Sequence, residues 1–409
     1  MGFGQGLSGL SAAAQDLDVI GNNIANSGTV GFKSGTATFA DVYANSRVGL
    51  GVQVSGVTQN FGVGTITNTG NQFDMAIDGA SGMFRLEDPS GQVVYSRNGQ
   101  FSPDADNYIV NAQGQRLTGY AAGGSSTDLV PIKVPSGNIP PAATTQMTTQ
   151  TNLDANAASI DAATTPFDPS VSSSYTSALP ITVYDSLGNS HQLTQYFVKR
   201  GETADTPPQS QWDVYYRLDG QALDAPADSS PFSMTFNGSG SMTSGAISNL
   251  QVTQPGTANS PAAQLAISVS YDGSTQFGGD FSPSFTQNGY PTGEYASMSI
   301  GADGSIIASY TNGQTQSLGS LALASFANPQ GLQSVGGNAW IETSASGQPI
   351  LGRPGSNGLA AIKGQAVEES NVDMSQELVN MIIAQRTYQA NAQTIKTQDQ
   401  VMQTLITGL

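Results

Sequence analysis

The chain has 409 residues, of which 11% are charged, and its 30 acidic and 13 basic side chains give a formal net charge of −17. Such a charge repels phosphate backbones and anionic lipids, which argues against nucleic-acid binding and membrane insertion. The absence of cysteine excludes disulfides, thiolate catalysis and cysteine-ligated metals. A polar surface of Gly, Ser, Thr, Asn and Gln with so few charges favours a secreted structural protein over an enzyme.

The N-terminal residues carry an apolar stripe with alternating four-residue and three-residue spacing. This spacing predicts a helix with one narrow apolar seam, which needs a partner helix. The helix should stop near residues 26–28, where Asn, Ser and Gly favour capping conformations. The residues of this predicted seam are Leu7, Leu10, Ala14, Leu17 and Ile24.

The leader has no basic region and no compact apolar region, so we expect no cleaved signal peptide. If the protein leaves the cell, we expect a dedicated exporter that leaves the N-terminus in place.

The middle of the chain predicts short strands separated by Gly-rich turns. From residue 73, turn pairs such as Asp78-Gly79 lie between short alternating segments, as in an antiparallel meander. A second β segment of different style follows, and the first style then returns, so we expect one β domain to be inserted in another. The predicted ranges are an extended connector at 31–72 with 340–371, an inner β domain at 73–144 with 285–339, and an outer β domain at 145–284.

The C-terminal residues repeat the spacing of the N-terminal stripe. We expect residues 1–30 and 372–409 to pair as a coiled-coil core and to be completed by copies of the same chain. The alternative is that both seams only pack on their own β domains. The residues of the C-terminal predicted seam are Leu378, Met381, Tyr388, Ala392, Ile395, Met402 and Ile406.

Possible catalytic groups are sparse. His191, the one histidine, lies among alternating strand residues and is interpreted as a satisfied or exposed strand residue. The segment from Gly31 to Ser34 lacks the adjacent Gly and Lys of a phosphate loop and predicts a Gly turn followed by the surface residue Lys33. No two carboxylates have a spacing that indicates an acid/base pair. We therefore expect no catalytic residue, cofactor or metal site.

Three segments carry a family resemblance. NNIANSGTVGFKS resembles the signature of bacterial flagellar rod and hook proteins, and its C-terminal counterpart ESNVDMSQELVNMIIAQRTYQANAQTIKTQDQVMQTLI is similar to the last helix of that family. MAIDGASGMFRLEDPSGQVVYSRNGQF resembles their shared β domain. The motif residues are Asn22, Asn23, Asn26, Gly31, Phe32 and Lys33.

The segment VYDSLGNSHQLTQYF resembles the outer domain of hook proteins within this family. The resemblance implies a mainly β fold with paired terminal helices, and a structural subunit that assembles head-to-tail into a curved hollow tube. Such a tube acts as a universal joint, transmits motor torque from rod to filament and encloses the export channel. The implied partners are further copies, the distal rod protein, the hook cap, the hook-filament junction proteins and the export apparatus, at an extracellular location.

Two alternatives remain open at this stage. A distal rod or hook-associated junction protein would share both terminal motifs but differ in the middle. A secreted β-rich adhesin or carbohydrate-active enzyme would instead have a concave site with shifted carboxylate pKa values.

Overall fold

In the computed structural model, one long helix lies near each end of the chain and the strands lie between them in sequence. The structure describes residues 2–42, 50–123, 128–204, 206–223, 231–252 and 261–407. Helix α1 spans Gly2–Ala25 and helix α2 spans Met374–Thr407. The prediction of a mainly β protein with terminal helices is confirmed, and α1 ends directly before residues 26–28. No helix in the described part of the chain combines the length and apolarity that a membrane crossing needs.

The chain divides into two compact units. The first unit contains Met1–Ser136, Ala296–Ser309 and Thr315–Leu409, and the second contains Gly137–Tyr295 and Tyr310–Gln314. The chain therefore leaves the first unit, builds most of the second and returns. The second unit contains more residues, at both ends, than the outer domain predicted at 145–284.

The first unit begins with α1 and short strands. Strands β1 and β2 form an antiparallel hairpin within the stretch predicted as an extended connector, because its alternating residues pair with each other. The strands of this part are β1 (Gly35–Asp41), β2 (Val52–Gln59), β3 (Ile66–Asn68), β4 (Met75–Asp78), β5 (Met83–Glu87), β6 (Val93–Ser96), β7 (Ser102–Pro103), β8 (Ile109–Val110), β9 (Arg116–Ala121) and β10 (Leu129–Pro131).

The second unit contains two five-stranded sheets, with the strand orders β17-β18-β11-β19 and β12-β13-β14-β15; β20 pairs with β11, and β16 pairs with β14. A core of buried side chains that includes Phe197, Trp212 and Tyr271 draws residues from both sheets. The strands are β11 (Gln146–Asp154), β12 (Ser177–Tyr184), β13 (Ser190–Glu202), β14 (Ser210–Leu218), β15 (Gln221–Ala222), β16 (Phe232–Phe236), β17 (Ile247–Val252), β18 (Leu265–Ser270), β19 (Thr275–Phe277) and β20 (Ser282–Gln287).

The returning chain completes the large sheet of the first unit, whose main order is β21-β22-β23-β9-β5-β6-β26-β25. Strand β28 pairs with β4, and β29 pairs with β3, so the residues that follow α1 and those that precede α2 are held together. The strands are β21 (Tyr295–Ile300), β22 (Ser305–Tyr310), β23 (Thr315–Leu321), β24 (Leu323–Ser325), β25 (Gln333–Gly336), β26 (Ala339–Ile341), β27 (Ile350–Gly352), β28 (Ala361–Gly364) and β29 (Ala366–Glu368).

Several tight turns share one construction. An Asp or Asn at the start of the turn accepts hydrogen bonds from the backbone N–H groups two and four residues later, and the residue between these two donors has a positive φ. Side-chain acceptors of this kind close a turn without a long loop. The residues that begin such turns are Asp88, Asp104, Asn111, Asp185 and Asn237.

Candidate functional site

Helices α1 and α2 pack antiparallel along a seam of small residues. A Cβ added at Gly6 would lie 3.0 Å from Ile395 Cγ1, and a Cβ added at Gly9 would lie 2.8 Å from Asn391 Oδ1. The seam is therefore tightly packed at these two glycines, because a larger side chain at either one would have to displace the facing side chain of α2. Residues at three-four spacing form this packed seam on α1: Gly6, Gly9, Ala13, Asp16, Ile20 and Asn23.

The predicted seam of α1 lies beside the packed seam. Each of its five members follows a packed position by one residue, and one residue corresponds to a rotation of about 100° on a helix. Leu7 is 62% exposed, while Leu10, Ala14, Leu17 and Ile24 are half-buried. Of this predicted seam, Leu7 is thus largely exposed in the single chain, and the other members are only partly covered.

Three of the six members of the predicted α2 seam whose side chains are described are exposed. Leu378, Tyr388 and Met402 are exposed, and Met381 and Ala392 are half-buried. Ile395 is half-buried and is the member that faces α1. Ile406 belongs to α2, but its side chain lies outside the described residues.

Helix α2 exposes further large apolar residues that the seam prediction missed. The run VNMII at 379–383 is apolar on adjacent faces, which was the available signal, because a helix that is apolar on several faces is normally covered on all of them. Ala384, which is 3% exposed, is the residue of this region that the first unit buries. The additional exposed residues are Val379, Ile382, Ile383 and Val401.

Two cavities lie along the groove between the helices and the β1–β2 hairpin. One of about 430 Å³ is lined by Gly9, Ala13, Phe39 and Ile383 among others. Another of about 240 Å³ lies beside Asp16, and burial raises the pKa of this carboxyl. Phe39 and Ile383, which line this groove, are 46% and 57% exposed.

The asparagines of the motif that follows the apolar stripe of α1 hold the end of this helix. Asn23 is buried; its Nδ2 donates to Gly35 O at 2.8 Å and to Glu377 Oε1 at 3.1 Å, while its Oδ1 accepts from Gly35 N at 2.9 Å. Asn26 Nδ2 donates to Asn22 O at 2.9 Å. One side chain therefore joins the end of α1, the start of β1 and the first turn of α2.

A glycine is required in the turn that follows. Gly31 has φ +71°, and a Cβ there would lie 2.6 Å from Asn98 N. Its N–H donates to Glu368 O at 2.7 Å. The next residue, Phe32, is half-buried, and its carbonyl accepts a hydrogen bond from Asn371 N.

Lys33 is buried in an ion-pair cluster, which corrects its assignment as a surface residue. Its Nζ lies 2.5 Å from Glu368 Oε1 and donates to Gly62 O at 2.7 Å. Arg97 Nε donates to Glu368 Oε2 at 2.9 Å, and Gly64 N donates to Glu368 Oε1. Burial lowers the pKa values of Lys33 and Arg97, and the Glu368 carboxylate opposes this effect.

Asn371 extends this anchor to the start of α2. Its Oδ1 accepts from Ser34 N at 2.8 Å, and its Nδ2 donates to Asn60 O at 2.7 Å. Asp373 then caps α2, since its Oδ1 accepts from Ser375 N at 2.9 Å. The two ends of the chain are therefore fixed to one another and to the first unit by side-chain hydrogen bonds.

No metal-ligating group of three or more His, Asp or Glu side chains occurs within the described ranges. His191 is 8% exposed, and its ring lies between two carboxylates. Of the two interpretations, a satisfied or an exposed strand residue, the structure confirms the satisfied one.

Four family models match successive parts of the chain. They are described as flagella basal body rod protein (residues 5–33), flagellar hook protein FlgE/F/G D1 domain (76–162), flagellar basal body protein FlaE D2 domain (152–290) and flagellar basal body rod FlgEFG protein C-terminal (363–408).

Full-length relatives are similar along almost the whole chain. The flagellar hook protein FlgE of Salmonella typhimurium is 46% identical and that of Escherichia coli is 45% identical, each with 99% of both chains covered. FlgE of Borreliella burgdorferi is 31% identical, with 98% of both chains covered. The crystal structure of Helicobacter pylori flagellar hook protein FlgE2 has the same fold over 74% of this chain and all of that one, with a TM-score of 0.55 and 14% identity.

Proposed function

This chain belongs to the flagellar hook protein family, and on that premise we propose that it assembles head-to-tail into the curved hollow tube that joins rod to filament. It is a structural subunit of the bacterial flagellar hook, and its family polymerises within the flagellar axis. The proposal concerns how the helices and β units of this chain divide the work of that polymer.

The exposed apolar faces of the helices carry the proposal. Leu7 is 62% exposed, Ile382 is 51% exposed and Val401 is 55% exposed, on helices whose mutual seam is already filled. Burying a fully exposed side chain of this kind is worth about 1.5–3 kcal/mol, and covering the exposed half of one is worth roughly half as much. Several of them buried by neighbouring copies would drive association, and a head-to-tail contact that does not close on itself builds a helical tube.

The anchor at Glu368 supports a role in torque transmission. Lys33 follows α1, Arg97 lies in the β domain of the first unit, and Glu368 precedes α2. A rotation imposed on the helix pair would act directly on these buried contacts. The first unit would therefore turn with its helices, whereas a flexible tether would absorb the motion.

The low charge of the surface supports a role in bending. Only 11% of the residues are charged, and Gly, Ser, Thr, Asn and Gln supply much of the polar surface. Contacts between such surfaces contain few ion pairs that must break when neighbouring subunits slide. In this proposal the helices line the export channel, and the β units form the outer layers whose contacts change during rotation.

The remaining parts of the proposal follow from membership in the hook family. We infer that the chain is exported without a cleaved signal peptide and performs no catalysis. Its proposed partners besides its own copies are the distal rod protein, the hook cap, the hook-filament junction proteins and the export apparatus.

An assembly assay with matched variants tests the proposal. Ile382→Lys places a charge on a side chain that is exposed in the single chain, so the monomer should keep its melting temperature. Burying that charge between copies costs several kcal/mol, and tube formation seen by electron microscopy should fail. Thr394→Lys adds the same charge at an exposed polar position on another face of α2 and should preserve the tubes.

Normal tubes from Ile382→Lys would show that this face is not an assembly surface. Wild-type protein that forms no tubes alone and does not restore hooks to a hook-deficient strain would contradict the proposed function itself.

A further inference from the structure

The single histidine of the chain is held between two carboxylates in the second unit. His191 Nδ1 lies 2.7 Å from Asp219 Oδ2, and His191 Nε2 lies 3.3 Å from Asp185 Oδ2. A neutral imidazole has one N–H, whereas the imidazolium has two. The protonated ring can therefore donate to both carboxylates, and the neutral ring to only one.

The surroundings favour the protonated ring. Burial acts to lower the pKa of His191, but the hydrogen bonds and charges of Asp219 and Asp185 outweigh it and raise the pKa above 6.5. Among the described residues, the charged groups acting on the ring are Asp185, from the turn between β12 and β13, and Asp219, from the turn between β14 and β15. The opposite residue on β12 is the apolar Val183.

Asp185 also builds the turn that leads to His191. Its Oδ1 accepts from Leu187 N at 2.8 Å and from Asn189 N at 2.9 Å, and its Oδ2 accepts from Asn189 Nδ2 at 2.9 Å. The same Oδ2 faces the imidazole. Because the contact with Asp219 is the shorter one, the neutral ring keeps its N–H there, and loss of the other proton removes a donor from the carboxylate that organises the turn.

This turn lies against the segments by which the chain enters and leaves the second unit. A Cβ added at Gly188 would lie 2.8 Å from Pro141 Cβ and 3.3 Å from Thr292 N. The two segments pair with each other, because Ile139 N donates to Gly293 O at 2.8 Å.

We propose that Asp185, His191 and Asp219 form a pH-sensitive clamp that holds this turn against the paired segments, so that deprotonation of His191 loosens the base of the second unit. A group whose pKa is raised by folding contributes its full stabilisation below its unfolded pKa and loses it as the pH rises through the folded pKa. The clamp is thus closed in mild acid and opens on the alkaline side. The inference is independent of the assembly proposal, since it concerns the single chain.

The test measures the His191 titration and the protection of nearby amides in the full-length monomer. The imidazole signal in NMR should titrate above about 6.5, the ordinary histidine pKa. Protection factors of the Leu187, Asn189 and Ile139 amides should fall several-fold between about pH 6 and a pH above the measured pKa. The turn that begins at Asn111 has the same hydrogen-bond pattern without a histidine and serves as the internal control.

Two variants complete the test. His191→Gln cannot be protonated, and because its amide keeps N–H donors at every pH, protection in this variant should not depend on pH. Asp219→Asn should keep the fold, because Asp219 is the more exposed carboxylate, and should lower the His191 pKa. A titration at or below 6.5, or equal pH dependence in the Asn111 turn, would overturn the clamp. Loss of protection at Leu187 and Asn189 without any change at Ile139 would overturn its action on the base.

Discussion

Lys33 Nζ and Glu368 Oε1 lie 2.5 Å apart, although 335 positions separate the two residues in the chain. The pair is fully buried and shares its carboxylate with Arg97. The contact therefore joins a residue that follows α1 to a residue that precedes α2.

Removing the shared carboxylate should destabilise the first unit strongly. Glu368→Gln leaves two buried cations without their counter-charge, and breaking a buried ion pair in this way costs about 3–5 kcal/mol. Urea unfolding should report the loss. Glu369→Gln is the matched control, since Glu369 is exposed and bonds Thr67 Oγ1. Equal stability of the two variants would show that the cluster does not hold the junction.

The helix seam should respond to size and not to helix propensity. Gly9→Leu would push against Asn391 and should cost about 1–3 kcal/mol through overpacking. Gly21→Ala meets nothing within 4 Å and should stabilise α1 by about 0.5–1 kcal/mol, because alanine is the better helix former. Hydrogen exchange of the α2 amides measures both effects. Faster exchange in Gly21→Ala or unchanged exchange in Gly9→Leu would contradict this seam.

Excision of most of the second unit should leave the first unit folded. Ala142 and Tyr290 exchange backbone hydrogen bonds of 3.0 Å in both directions, so a two-residue Asn-Gly turn can join them after deletion of 143–289. Calorimetry should show that the first unit keeps its melting temperature within about 5 °C. Tubes of this variant should be straighter than the parent tubes in electron micrographs, while equally curved tubes would assign curvature to the first unit.

Two tyrosine substitutions in the second unit should change the free energy of unfolding by amounts that differ in sign or size. Tyr216 OH and Tyr271 OH lie 2.8 Å apart in the core, and Tyr271 OH donates to Gln195 Oε1. Tyr216→Phe breaks this buried chain and should cost about 1–2 kcal/mol in urea unfolding. The Tyr295 hydroxyl is buried with no hydrogen-bond partner among the described residues, so Tyr295→Phe should be neutral or stabilising. A larger cost for Tyr295→Phe would indicate a partner for that hydroxyl.

Sequence reasoning identified the helices because their apolar spacing is regular over several turns. It did not identify the packed seam, since Gly6, Gly9 and Ala13 carry almost no hydrophobic signal and matter through their small volume. Leu7 and Leu10, each one position after a glycine of the packed seam, dominated the hydrophobic periodicity of α1. Hydrophobic periodicity thus located a partly exposed flank of α1 beside the packed seam, and the role of this flank in assembly remains a prediction.

The anchor and the clamp were beyond the reach of local patterns for a different reason. The local pattern around Lys33 predicts an exposed lysine after a turn. Its partner Glu368 lies at the end of β29, which reaches this region by pairing with β3. Asp219 meets His191 because β13 and β14 are neighbours in one sheet. Such partners are set by topology and not by spacing along the chain.

The small residues of the helix seam also determine which substitutions related chains can tolerate. At Gly6 and Gly9 the restriction is on volume, and at Gly9 polarity is accepted, because the Asn391 side chain already fills the opposite position, whereas Gly6 faces Ile395. On the 379–383 flank the restriction, if copies cover it, is on polarity, and size can vary. Divergent sequences should therefore vary in polarity but not in side-chain volume on one face of the helix pair, and in volume but not in polarity on the other.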